Sequence, residues 1–539
     1  MATAAAAPVG REAELAAIAD FLEAETAACA VAIEGEAGIG KTTVWEAAVS
    51  GAAGGGFRVL RARPAESEAK LAFSSLADLL GDASAEVLDD LPPPQRRALE
   101  VALLIDDGEG GRGADRRAVA AGLLSSLRKL AAGVRVLLAI DDVQWLDPSS
   151  AAALDFAVRR LRDEAVALLL ARRLDEPPGD RVLEDALPAE KCLRVTIESL
   201  DFLALNTLLR ERLAVVLSRP ILHRIHELSR GNPFFALELA RAPARLEAGT
   251  LPPTLDALVR GRLAALPDKT QAALLVASAA SHSTVELVAR VVGEPDALAA
   301  AEAARIVELD HGRVRFTHPL LASAVYTATA PAQRRETHAK LAGLVRDPER
   351  RAVHLAAAAT GPDEKVAEAL ELGATRARAR GAPAAAAELS EEAAQLTPAD
   401  RAEDALRRLA RAGYYHFESG DSRRALVLLE QVVVQLPAGP ERADVLTRLA
   451  GVRSYSDDLQ AAADLFLQAA EEAGDVRALK ARALEGAAAQ LFRQRRRLDE
   501  AVEHAKGSAA LARELEDDAL LALALGPQFV AKATLGRPE

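Results

Sequence analysis

The stretch "CAVAIEGEAGIGKTT" at residues 29–43 constrains this chain more than any other. A short apolar run ends at Gly35, four residues intervene before Gly40, Lys41 and Thr42, and the helix-like "TTVWEAAV" follows. Strand, glycine loop and helix in that order let backbone N–H groups curl round an anion at a helix N-terminus. Gly35, Glu36, Ala37, Gly38, Ile39, Gly40, Lys41, Thr42 and Thr43 are therefore expected to hold the phosphates of a nucleotide, ATP or ADP. Lys41 would offer a point charge to the outer phosphates, and Thr42 a hydroxyl to Mg²⁺. A glycine-rich turn without a ligand is the alternative, and the strand before and helix after weigh against it.

The second half of such a site is an acidic residue where an apolar strand leaves the core. "VRVLLAIDD" supplies Asp141, expected to share the Mg²⁺ with Thr42, and Asp142, expected to orient a water. An aspartate reaches one methylene less far than a glutamate, so slow hydrolysis is expected. "VALLLARR" ends in Arg172 and Arg173 at the same edge of a parallel sheet, and one of them, Arg172 first, is expected to sense the terminal phosphate. An exposed strand-end arginine is the ordinary alternative.

The rest of the chain is organised around this unit. Its 539 residues exceed what one core can bury and suggest three or four domains. From 30 to about 200, the runs "AVAIE", "FRVLRAR", "VRVLLAIDD", "VALLLARR" and "CLRVTI" alternate with helical patterns, which predicts an α/β P-loop domain with a parallel sheet over residues 1–200. Residues 201–249 read as a helical lid. Over 250–345 helices continue until "RIVELDHGRVRFTH", two extended runs joined by a turn, which with its neighbours predicts a winged-helix domain.

Residues 346–539 carry only alanine-rich helical text, predicting an all-α solenoid of tetratricopeptide type. Half of the residues are hydrophobic but only 3% aromatic, as closely packed helices require. Ala425, Ala463 and Ala501 recur at about 38 residues, and Gly413, Gly451 and Ala489 keep a second register where helix backbones are expected to approach. The text ends just after a repeat, without a capping helix of polar outer face, so a longer natural chain is expected.

Charge and composition exclude several classes. A net charge of -13 disfavours polyanions and anionic membranes as partners, so direct DNA binding is not expected. Arg493 and Arg495–Arg497 form the one dense basic cluster of the solenoid, placed inside a repeat helix and read as a solvated face. The two cysteines, Cys29 and Cys192, read as small hydrophobes, and the nine histidines show no metal-ligand spacing. Neither a signal peptide nor a membrane-spanning run is visible, so a cytoplasmic location is expected.

"PVGREAEL" at 8–15, "GEAGIGKT", "LLAIDDVQWLD", "SRGNPFFALEL" at 229–239, "LPPTLDALVRGRLAALP" at 251–267 and "VRFTHPLLASAVY" at 314–326 form an ordered set. With them the chain resembles the large LuxR-type ATP-binding transcriptional regulators, relatives of the maltose-system activator in the STAND class of signal-transducing P-loop ATPases. The resemblance implies that Gly10, Arg11 and Glu12 border the adenine. It also implies that Gly231, Asn232 and Pro233 form the lid element that meets the base, and that His318 approaches the β-phosphate of ADP; turns and a structural helix-start histidine are the alternatives. Members carry a C-terminal helix-turn-helix that this text lacks, so promoter binding is not expected of it.

The function that follows is a switch in which ADP holds ATPase, lid and winged helix closed. A signal, an inducer or protein on the repeats, then lets ATP replace ADP, and the open form self-associates. A turnover ATPase that remodels a client and a nucleotide-stabilised scaffold for protein partners are the two alternatives.

Overall fold

β1 (Cys29–Gly35) is buried at all seven residues, as a central strand covered on both faces must be. In the computed structural model, described for residues 8–25, 27–106, 114–174, 183–213, 217–241, 254–280, 282–455, 458–495 and 497–534, it joins four further strands: β2 (Arg58–Ala62), β3 (Val136–Ile140), β4 (Val166–Arg173) and β5 (Cys192–Thr196). The order is β2-β3-β4-β1-β5 and every pairing is parallel. All five strands fall on the runs read from the sequence.

Alternation decides what each face buries. Val31, Ile33, Leu137, Ala139, Leu169 and Ala171 pack with Ile18 and Leu22 of the helix Glu12–Ala24 and with Val44, Trp45 and Val49 of the helix Lys41–Gly54. Residues of the other parity, Leu138, Ile140, Leu168 and Leu170, are fully buried as well. Cys29 and Cys192 lie on neighbouring strands, but Cys192 is paired with Ala30, so the two thiols point to opposite faces.

Three helices, Phe202–Leu213, Arg219–Ser229 and Pro233–Ala240, share one apolar core after the sheet. A second core joins the helices Leu255–Ala264, Asp268–Ala279 and Val285–Val292 to a hairpin of β6 (Val307–Asp310) and β7 (Arg313–Phe316). The hairpin turn is His311-Gly312, both left-handed with φ 48° and 79°, the conformation whose twist matches paired strands. The hairpin read from the sequence is thus present. The boundary expected near 249 lies outside the described residues.

The chain forms two compact units, residues 1–358 with 379–382, and residues 359–378 with 383–539. In the second, from Pro383 onward, each helix packs on its sequence neighbours through Asp518–Thr534. Ala425, Ala463 and Ala501 are buried at its inter-helix contacts. The second register needs correction. A Cβ at Gly413 would stand 2.9 Å from Leu429, whereas none within 4 Å would meet one at Gly451, and Ala489 is half-buried. The closest approach is at Gly486, where a Cβ would meet the Phe466 ring at 2.5 Å.

The basic cluster is also placed differently from expectation. The helix ends at Arg493, and Arg495 and Arg497 are left-handed turn residues before the next helix at Leu498, with Arg497 paired to Glu500; Arg496 lies outside the described residues. A helix, Asp518–Thr534, follows the last repeat and exposes Leu523 and Phe529, so its outer face is not polar. No described helix is long and apolar enough to cross a membrane.

Candidate nucleotide site

The phosphate loop is built by left-handed glycines. Gly38 and Gly40 have φ of 78° and 104°, which L side chains rarely adopt, and the space where a Cβ of Gly40 would stand is open to 4 Å. The helix Lys41–Gly54 starts at that point, so its first N–H groups and its positive dipole end face the loop. Lys41 is buried, and its Nζ donates to the carbonyls of Gly35 and Glu36 at 2.9 and 2.8 Å, which fixes the ammonium at the loop's mouth.

The acidic end of β3 lies against this loop. Thr42 Oγ1 donates to Asp141 Oδ1 at 3.4 Å, and Arg63 Nη2 pairs with Asp141 Oδ2 at 3.3 Å. Asp141 is buried beside the charge of Asp142, and these two effects push its carboxyl up to about 6. Two adjacent carboxylates in so dry a place call for a cation, which fits Mg²⁺ held by Thr42 and Asp141 as expected from the sequence. Bound there, the metal would supply positive charge to the phosphates. Asp142 is a non-glycine residue in the left-handed region, φ 50° and ψ 55°, and its Oδ1 accepts from Gln144 Nε2 at 2.7 Å.

The two arginines at the end of β4 separate. β4 runs between β1 and β3, and Gly35 is paired with Arg173, so Arg173 emerges between the phosphate loop and Asp142. Its Nε stands 3.6 Å from Asp142 Oδ1. Arg172, one residue out of that parity, is instead paired to the buried Glu184. The sensing role expected first of Arg172 therefore has no geometric support. Arg173 is the one of the two that stands beside the phosphate loop and Asp142.

The start of the helix Pro233–Ala240 contacts the loop directly. Asn232 Nδ2 donates to Ala37 O at 3.0 Å and the Phe234 N–H donates to Gly38 O at 3.2 Å. Gly231 precedes them with φ 75°, and a Cβ there would stand 2.4 Å from the carbonyl of Leu200, whose N–H donates to Gly231 O at 2.9 Å; only glycine fits. Asn232 also caps the helix Pro233–Ala240 through Phe235 N–H, with Pro233 at its first turn.

Phe234 in turn stacks on His318, centroids 4.0 Å apart. His318 Nδ1 accepts the N–H of Leu320 at 3.1 Å, which puts the proton of a neutral ring on Nε2. Burial and the positive charges of Arg173 and Lys41 hold this imidazole down to about 3. Through Phe234, whose N–H donates to Gly38 O, His318 lies one side chain away from the phosphate loop.

At the N-terminus, Arg11 is buried and donates to Ile39 O at 3.2 Å and to Glu198 O at 2.7 Å, tying the loop to the chain after β5. Gly10 is left-handed, with Ala204 2.9 Å from where a Cβ would stand, and its N–H donates to the exposed Glu12 at 3.3 Å. Arg63, Gln144 and Phe234 are the participants that sequence reasoning did not select, and Arg173 was placed second to Arg172.

Residues 7–170 match the AAA ATPase domain family. The matched AAA-like segment contains β1 to β3 and the first five residues of β4, and with them the phosphate loop, Asp141 and Asp142. No curated protein is similar enough to the chain to register a match. Among solved structures, the chain is similar to a STAND (Signal Transduction ATPase with Numerous Domains) protein with a tetratricopeptide repeat sensor from Pyrococcus horikoshii. Identity is 13%, covering 99% of this chain and 81% of that one, with a TM-score of 0.41. It is also similar to AMPPCP-bound DnaA from Aquifex aeolicus, at 16% identity over 55% of this chain and 87% of that one, with a TM-score of 0.25. At TM-scores this low, neither likeness fixes anything about the site of the AAA-like domain.

Proposed function

We propose that the chain is an ATP/ADP-controlled signalling switch of the STAND type, related to the LuxR-type regulators, in which slow hydrolysis resets the closed form. The observation that carries this reading is the pair of hydrogen bonds from Asn232 and Phe234 to the phosphate loop, with Phe234 stacked on His318. Loop, lid and post-hairpin helix thereby meet at one point. A change of charge at the loop is felt by all three, as a two-state element requires.

In this reading Lys41 and the loop N–H groups bind phosphate, Thr42 and Asp141 hold Mg²⁺, and Arg173 senses the terminal phosphate. Asp142 orients a water, but its Oδ1 is already engaged by Gln144 and faces Arg173, which favours slow turnover over a motor. Gly10, Arg11, Glu12 and Pro233 border the base. Residues 1–200, 201–249, 250–345 and 346–539 act as ATPase, lid, winged helix and sensor, and the repeats take an inducer or protein. The switch works in the cytoplasm.

Size-exclusion chromatography with light scattering tests the reading. Protein isolated with ADP should run as a monomer, and ATP with Mg²⁺ should enlarge it. An identical size and domain arrangement with both nucleotides would overturn the switch, and rapid steady turnover would favour a client-remodelling ATPase.

A further inference from the structure

Both backbone polar groups of a single residue, Ala72, are held by a buried ion pair distant in sequence. The Ala72 N–H donates to Glu349 Oε1 at 2.9 Å, and its carbonyl accepts from Arg380 Nη2 at 2.6 Å. Arg380 Nη1 closes the triangle on Glu349 Oε2 at 2.8 Å, and Nη2 also reaches Ala102 O at 3.0 Å. The side chains of Glu349 and Arg380 are 1% and 12% exposed, and all of these residues belong to the first compact unit.

The gripped residue leads toward the nucleotide site through its neighbour. Phe73, next in the chain, is left-handed with φ 57°, and its N–H donates to Asp147 Oδ1 at 2.9 Å. The hydroxyl of Ser74 and the N–H of Ser75 both go to Asp147 Oδ2, at 3.3 and 3.1 Å. Asp147 is wholly buried and also caps its own helix through Ser150 N–H at 2.9 Å. Only the single turn Val143–Trp145 and Leu146 separate it from Asp142. Ala72 is thus linked to the acidic end of β3 through Phe73, Asp147 and that turn.

We propose that Glu349 and Arg380 are positioning residues for the magnesium site: by clamping Ala72 they seat residues 72–75 on Asp147 and so hold Asp141 and Asp142 in place. A buried pair of this kind is either made or broken, because parting it strands two charges away from water. The inference rests on the reading of Thr42 and Asp141 as Mg²⁺ ligands.

The test compares the affinity of a fluorescent ATP analogue with Mg²⁺ present and with EDTA, in the full chain. In the native chain Mg²⁺ should tighten binding. Glu349→Ala should reduce that Mg²⁺-dependent gain severalfold, short of the roughly 10- to 100-fold that loss of a direct outer-shell partner commonly has. Affinity in EDTA, set by the phosphate loop and lid, should stay put, and Glu349→Gln, which still accepts from Ala72 N–H, should recover most of the gain. Should Glu349→Ala fail to fold, Arg380→Met keeps the Glu349 contact, removes the grip on the carbonyl, and should show the same loss. Arg408→Met, at a buried pair in the second unit, should lower stability and leave the gain unchanged. A full gain in folded Glu349→Ala or Arg380→Met overturns the clamp while leaving the nucleotide site intact. No binding by the native chain with or without Mg²⁺ would instead overturn the site itself, and the clamp with it.

Discussion

Phe234 and His318 lie nearly parallel, their planes 17° apart, although 84 residues separate them in the chain. The first begins the lid helix and the second begins the helix after the hairpin. Neither has its neighbour in sequence to thank for its place. Stacked rings of this kind contribute roughly 0.5–1.5 kcal/mol beyond the area they bury. Phe234→Leu keeps most of the volume and removes the stack, so ADP should dissociate several-fold faster, by about the same free energy. Stopped-flow displacement of a fluorescent ADP reads this, and an unchanged rate would remove the pair from the closed state.

Lys41→Ala removes a charged donor that the loop already holds in place by two hydrogen bonds. The loss should be about 1.5–3 kcal/mol, a weakening of ATP binding of roughly 10- to 150-fold, with the fold retained. Isothermal titration calorimetry with circular dichroism checks both halves.

The two strand-end arginines should fail in different ways. Arg172→Ala leaves Glu184, 2% exposed at its side chain, without its partner, and should cost about 3–5 kcal/mol of stability by chemical denaturation. Arg173→Ala should leave stability nearly unchanged and narrow the preference for ATP over ADP. The opposite assignment would restore Arg172 to the sensing position.

Acid should destabilise the first unit through its buried histidines. His338 Nδ1 faces His354 Nδ1 at 3.0 Å and Tyr326 shares a proton with His338 Nε2 at 2.9 Å, a network of neutral rings. Burial holds His338 below its ordinary 6.5 and, with the neighbouring His338 and Arg350, holds His354 to about 4. A lowered folded value means that the unfolded chain binds the proton first, so His354 costs stability as pH falls from about 6.5 to about 4, at up to about 1.4 kcal/mol per pH unit. Asp141 and Glu349, whose values burial raises, work in the opposite direction. His354→Asn isolates the effect: the difference in unfolding free energy between native chain and variant should shrink from pH 7 to pH 4.5.

What could be read from the sequence followed periodicity. β1 to β5, the phosphate loop, the hairpin turn and the buried Ala425, Ala463 and Ala501 each declare themselves within a few residues, because strand, turn and helix have local periods. What escaped depends on neighbours that are remote in sequence. Choosing Arg173 over Arg172 requires knowing that β4 pairs with β1 in the register Gly35 to Arg173, and finding Arg63 requires knowing that β2 borders β3. Gly486 was missed for the same reason: its need for a missing side chain is set by the Phe466 ring on another helix.

From Pro383 to Thr534 every helix rests on the one before and the one after, so the second unit has almost no contacts that wait for a distant part of the chain. Closing such contacts takes little loop entropy, and the array can zip up from any hairpin that forms first. A load on one end of such an array passes to the other only from neighbour to neighbour, joint by joint.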